Sequence, residues 1–153
     1  MASFIGDYSG KIDPKGRIVF PSGLMKQLPE EPEHKFVVKQ DIYEKCLIVY
    51  SFEEWNRLLN MMRSKLNMFN KEHANFLRQF YKGTVEVTLD NNNRMLIPAR
   101  LLKYAEIDKD FYFSAQDRKI EIWSKDNYEK TEQPDFDFAA LAEKVMGGEF
   151  PLM

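Results

Sequence analysis

The chain has 153 residues, 44% of them hydrophobic and 30% charged, with a formal net charge of −2; that is room for one ordinary soluble domain or two small half-domains. No apolar run approaches the roughly 18–20 residues a membrane helix needs, which excludes a membrane-spanning helix. The opening "MASFIGDYSGK" has neither a basic leader nor a long apolar stretch, so no signal peptide is expected and the cytoplasm is the default location.

Taken in chain order, "DYSGKID" reads as a short strand and runs into the turn "DPKGR", Asp13 to Arg17. Pro14 presets φ near −65° and Gly16 accepts φ > 0, so this turn is tight and well defined. "RIVFP" is the returning strand, and Pro21 halts its pairing because it has no N–H for the ladder. A short helix, "SGLMKQL", is expected next, with Leu24 and Leu28 on its apolar side, followed by strands "KFVVKQ" and "CLIVYS". Cys46 is the single cysteine, which excludes an intramolecular disulfide and a cysteine-based zinc knuckle; among "KCLIVY" it reads as a buried, inert thiol.

Ser51 followed by Glu54 reads as a capping box, the hydroxyl taking an early helix N–H and the carboxylate reaching back. After it Trp55, Leu58, Leu59, Met62 and Leu66 fall at helical spacing. A second helix, "KEHANFLRQFY", places Ala74, Leu77 and Tyr81 on one side, as core or as a contact between subunits. His73 on that helix reads as a surface or capping residue. His34 is far from it in sequence, and neither has ligand-like company, so no metal site and no cofactor is expected.

From Thr84 the first pattern returns at an offset of 77 residues. "TVEVTLD" alternates Val85, Val87 and Leu89 like a half-buried strand, "DNNNR" repeats the Asp-to-Arg turn at Asp90–Arg94, and "RMLIP" ends at Pro98. "ARLLKYA" repeats the short helix, and "DFYFSA" and "KIEIWS" repeat the two closing strands. The chain is thus an internal duplication of α+β class: two pseudo-symmetric β units with short helices, a helical pair between them and a C-terminal helix. The expected organisation is residues 1–56 for the first half, 57–81 for the connecting helices, 82–129 for the second half and 130–153 for an acidic linker, helix and tail. The last helix, "FAALAEKVM", should stop at Gly147-Gly148, with the tail partly disordered. Two units whose short strands leave edges exposed are expected to pair those edges intertwined.

Charge is segregated along the chain. Residues 1–28 carry four Lys/Arg against two acids, as do residues 82–105, whereas residues 126–153 carry two against seven. Such blocks place a positive face around the turns, although a solvated surface with chance clustering gives the same pattern.

The two Asp-x-x-x-Arg turns, the "IVFP" and "MLIP" that follow them, "CLIVYSFEEW" and "IEIWSKDNY" together resemble the MraZ family, bacterial transcriptional regulators of the division and cell-wall gene cluster, over roughly residues 3 to 145. The resemblance implies a double AbrB-like swapped-hairpin fold and a homo-oligomeric ring of several subunits in the nucleoid. It also implies binding to short, repeated G-rich elements of double-stranded DNA upstream of the family's own operon, with repression as the outcome, and no small-molecule substrate.

The turn chemistry fits such a role. Arg17 can offer two parallel hydrogen bonds to guanine O6 and N7 or bind phosphate, Lys15 is a point charge for phosphate, Gly16 gives the loop its shape, and Asp13 holds the turn by accepting its N–H groups. In the second copy Arg94 takes the role of Arg17, Asn92 or Asn93 replaces the glycine in the left-handed position and can also contact adenine or phosphate, and Asp90 holds the turn. That copy lacks one positive charge, so Arg94 is expected to contribute less than Arg17. Two other readings stand beside this one. Asp13–Arg17 forms an ion pair that only locks a hairpin in an oligomeric interaction protein without DNA binding. The second, an enzyme with Asp13 and Asp90 as a carboxylate pair, is not expected, because no nucleophile–base set, metal cluster or Gly-rich phosphate loop accompanies them.

Overall fold

The computed structural model describes residues 3–132 and 135–147. Each copy supplies strand, turn, strand, helix, strand, strand, as the duplication predicts. The first copy gives β1 (Phe4–Lys11), β2 (Arg17–Val19), α1 (Ser22–Met25), β3 (Lys35–Gln40) and β4 (Leu47–Ser51). Two longer helices follow, α2 (Phe52–Lys65) and α3 (Lys71–Tyr81). The second copy gives β5 (Val85–Thr88), β6 (Arg94–Leu96), α4 (Ala99–Tyr104), β7 (Asp110–Asp117), β8 (Lys119–Ser124) and α5 (Lys125–Lys130), and α6 (Phe138–Met146) comes last.

The strands exchange partners between copies. β1 does not pair with β2 across its turn; it pairs antiparallel with β7 of the second copy, from Phe4 opposite Asp117 to Lys11 opposite Asp110. Reciprocally, β5 pairs with β3 of the first copy. The six-stranded sheet therefore runs β1-β7-β8-β4-β3-β5, and exchanging the two copies maps that order onto itself about the β8–β4 pair. The two returning strands pair only with each other, Arg17 opposite Leu96, Ile18 opposite Met95 and Val19 opposite Arg94, in a separate two-stranded ribbon. The intertwining expected from exposed edges is thus present throughout. It removes the free inner edges that each half would otherwise show.

The core lies between one face of the sheet and the ribbon with its short helices. Ile18, Phe20 and Leu24 of the first copy and their counterparts Met95, Ile97 and Leu101 of the second are all buried there. Phe20 stacks on Phe36 with ring centroids 5.1 Å apart and meets Phe113 edge-on at 5.9 Å, an aromatic junction of both copies. The opposite face takes the residues that alternate with these. Val37 packs with Trp55, Leu59 and Phe80 under α2 and α3, and Cys46 and Ile48 pack with Trp123. Cys46 is fully buried, and burial raises its pKa, so it is the inert thiol expected.

Local details refine the sequence reading. Ser51 Oγ accepts the Glu54 N–H at 3.2 Å, and the duplicate Ser124 accepts the Asn127 N–H at 3.1 Å. The second half of the capping box does not form. The Glu54 carboxylate is buried against Arg57, with Arg118 at 3.9 Å, because a near guanidinium is a stronger partner for a buried carboxylate than a single N–H. His73 caps locally, its Nδ1 accepting the Asn67 N–H at 2.9 Å. On α3 the residue that reaches the core is Phe80, while Leu77 and Tyr81 remain exposed. The first short helix closes at Met25 rather than Leu28, since the residue before Pro29 is disfavoured in the α region. α6 ends at Gly147, whose φ of −70° is not left-handed; a Cβ there would lie 2.2 Å from the Glu143 carbonyl oxygen. Gly148 and the tail beyond it lie outside the described residues.

The exchange makes a direct prediction. A fragment of residues 1–81 has lost β7 from β1 and β5 from β3, and two copies restore both pairings. Such a fragment should be folded only as a dimer, with far-ultraviolet circular dichroism and sedimentation both concentration-dependent. A stable folded monomer would contradict the exchange.

Candidate nucleic-acid interface

The two Asp-to-Arg turns share one hydrogen-bond pattern. In the first, the Gly16 N–H donates to the Asp13 carbonyl at 3.0 Å, and the Asp13 N–H to the Arg17 carbonyl at 3.1 Å. Asp13 Oδ1 accepts the backbone N–H groups of Lys15 and Arg17, both at 2.9 Å. In the second, Asn93 donates to Asp90 and Asp90 N–H to Arg94, while Asp90 Oδ1 accepts the N–H groups of Asn92 and Arg94 at 2.9 Å. Gly16 has φ +85° and Asn93 φ +59°, so Asn93 is the residue that stands in for glycine. Pro21 and Pro98 do more than stop the strands. Each sits at the cap of the next helix, and its carbonyl accepts from Leu24 and Met25 or from Leu101 and Leu102.

Both aspartates also hold their arginine. Arg17 Nε donates to Asp13 Oδ2 at 2.6 Å, and Arg94 Nε to Asp90 Oδ2 at 2.8 Å. Asp13 thus holds the turn as expected, and the ion pair weighed as the competing reading is present beside it. The ion pair exists in both copies, yet it engages Nε alone, and no other hydrogen bond is formed by either guanidinium among the described residues. Each arginine is thus pre-oriented, with its two terminal amino groups available as an end-on fork. The carboxyl pKa values of Asp13 and Asp90 are both lowered, first by the backbone N–H of their own arginine.

The ribbon brings the turns together. The Ile97 N–H donates to the Gly16 carbonyl at 3.0 Å, and the Phe20 N–H to the Asn93 carbonyl at 2.8 Å, so each left-handed residue anchors the other copy's strand. Along both strands the side chains alternate: Ile18 and Met95 point into the core, while Arg17, Val19, Arg94 and Leu96 share the outer face. With Arg17 opposite Leu96 and Val19 opposite Arg94, the two arginines sit about 8 Å apart on strand geometry, roughly two base-pair steps. Lys15, Asn92 and Asn93 are exposed at the turn tips.

Three residues of this surface escaped the sequence reading. Val19 and Leu96 are 55% and 58% exposed on the arginine face. Their signal is the two-residue step from each arginine, which places them on its face of the strand. Lys103, on α4, lines a cleft of about 560 Å³ with Pro14, Lys15 and Gly16; only strand exchange brings this second-copy residue to the first-copy turn. The described residues hold no group of three or more His, Cys, Asp or Glu placed to hold a metal ion, and no helix among them is long and apolar enough to cross a membrane.

Two interleaved β units whose returning strands pair in one ribbon define a swapped-hairpin protein of the double, single-chain kind. A family model described as "MraZ protein, putative antitoxin-like" matches residues 3–79 and again residues 80–147. The "Transcriptional regulator MraZ" of Christiangramia forsetii is 43% identical over 150 residues, covering 97% of this chain and 96% of that protein. Its namesakes in Bacteroides fragilis and Clostridium tetani are each 37% identical, over 146 residues (95% and 92% of the two chains) and 142 residues (93% and 96%). The chain belongs to the MraZ family of transcriptional regulators.

The turn geometry is testable by substitution. Gly16→Ala should cost about 1–2 kcal/mol in urea unfolding, because it forces a Cβ into the left-handed region and to 3.2 Å from the Ile97 carbonyl oxygen. Asn93→Gly should be close to neutral and Asn93→Val should cost a similar 1–2 kcal/mol; equal stability of all three would refute the assigned turn. By carbon-detected NMR titration, both carboxyls should titrate below their ordinary value of 3.8. Because the folded pKa is the lower one, the stability these turns add is complete above that value and disappears as pH falls through the folded pKa.

Proposed function

We propose that the protein is a sequence-specific DNA-binding repressor that grips repeated short elements upstream of its own division and cell-wall gene cluster, acting as a ring of copies in the nucleoid. The observation that carries this reading is the outer face of the β2–β6 ribbon: two oriented guanidinium forks whose terminal amino groups make no hydrogen bond among the described residues, with Lys15 exposed at the first turn tip. A two-stranded ribbon about 10 Å long and 5 Å between strands fits a major groove about 12 Å wide. There an end-on arginine reaches guanine O6 and N7, and Val19 and Leu96 offer apolar contact to thymine methyl groups. The names of the relatives, transcriptional regulators over nearly their full length, support the same class of role.

One ribbon makes few contacts, so tight binding needs several. Copies arranged head to tail present the same ribbon at a regular step, which matches direct repeats, and linkage raises effective concentration without new contacts. Catalysis has no part in this reading, since the two aspartates are committed to their turns and arginines.

The test is a gel shift with the duplex upstream of the gene's own operon. Arg17→Ala should weaken binding about fivefold or more with the oligomer intact, since a bidentate arginine–guanine contact is worth about 1–3 kcal/mol. Arg94→Ala should weaken it less, because Asn92 stands where the first turn has Lys15. Wild-type affinity should fall steeply with salt as counterions are released. Unchanged binding by both variants would favour the competing reading, an oligomeric interaction protein in which the ion pairs only brace the turns.

A further inference from the structure

Two apolar surfaces are without a partner among the described residues, and they are complementary. α6 buries none of its residues. Phe138, Leu141, Ala142 and Val145 fall at i, i+3, i+4 and i+7 along it, one continuous stripe, and Phe138 and Val145 are 68% and 66% exposed. A helix of nine residues is too short to persist in water on its own, where about 12–15 residues are marginal, so its helicity calls for a docking surface. The second surface is a groove of about 630 Å³ between α2 and α3, floored by Met62, Leu66, Ala74 and Leu77 and rimmed by Arg63 and Arg78.

Charge matches the two. Residues 135–147 carry Asp135, Asp137 and Glu143 against Lys144 alone. Across the groove, Arg63 and Arg78 bond only the neutral amide oxygens of Asn60 and Asn75 among the described residues. The sequence left the α3 stripe open as core or as a contact between subunits; with Leu77 and Tyr81 exposed, the second choice remains.

We propose that α6 of one chain lies apolar side down in the α2–α3 groove of the neighbouring copy, with its acidic flank against Arg63 and Arg78. The inference rests on the self-assembly within the proposed function and names the contact that produces it. The donor and acceptor surfaces differ, so each copy gives one helix and receives another, the head-to-tail arrangement that closes into a ring when the rotation permits. The mode is an amphipathic helix in an apolar groove, with i, i+3 and i+7 anchors. The rim charges set orientation and specificity more than affinity.

Mass measurement by light scattering on full-length variants tests it. The double variant Leu141→Glu/Val145→Glu spoils the helix, and Leu77→Glu spoils the groove; all three side chains are exposed in the single chain. Each variant alone should fall from the wild-type assembly to a folded monomer of about 18.1 kDa. Mixed together, they should form a dimer of twice that mass and nothing larger, since one intact helix then meets one intact groove. Variants that assemble as the wild type does would overturn this contact and leave the ring reading standing. A wild-type chain that is itself a monomer would overturn both.

Discussion

The short ladder between β2 and β6 is the constraint on which the rest of the molecule depends. Three residue pairs, Arg17 to Leu96, Ile18 to Met95 and Val19 to Arg94, bind little energy by themselves. They fix three things at once. Ile18 and Met95 are driven into the common core, the turns of the two copies are brought to one surface, and the arginines are set at a defined spacing. The ladder is held at both ends by Gly16 and Asn93, whose carbonyls accept from the opposite strand. A left-handed residue is needed at each place to aim that carbonyl, and the two copies meet the need with glycine and asparagine.

Around the ladder, the two halves depend on each other for their sheet edges. β1 finds its partner in the second copy and β5 in the first, and Phe20 of the first copy touches rings from both. The site therefore inherits the stability of the whole fold. The aspartate in each turn adds the last element: it closes the backbone through Oδ1 and grips the arginine Nε through Oδ2. Ion pairing and ligand recognition are then compatible uses of one guanidinium, because the pair occupies one edge and leaves the end open.

Much of this was legible in the sequence, and most of the missing parts share a cause. Strand positions, the Ser51 cap, the proline stops and the left-handed turn residue follow from neighbours within a few positions, and the 77-residue repeat doubles each signal. Pairing between strands more than 70 residues apart leaves no such local trace, so the strand exchange rested on resemblance and on the physical need to cover edges. For the same reason Lys103 was invisible as a neighbour of Lys15. Nothing in "IVF" or "MLI" says which side meets solvent until the ribbon's pairing is known, so Val19 and Leu96 were missed as well. Glu54 fits the capping-box pattern, but the pattern does not register Arg57 one turn away.

In the proposed function, duplex DNA is read by the outer face of the ribbon. The most direct measurement is a structure of the protein bound to the duplex upstream of its own operon. In the expected complex β2 and β6 lie in the major groove, with the terminal amino groups of Arg17 and Arg94 at hydrogen-bond distance from base edges or phosphates, and their Nε atoms still on Asp13 and Asp90. DNA seated on another face, with the ribbon open to solvent, would contradict it.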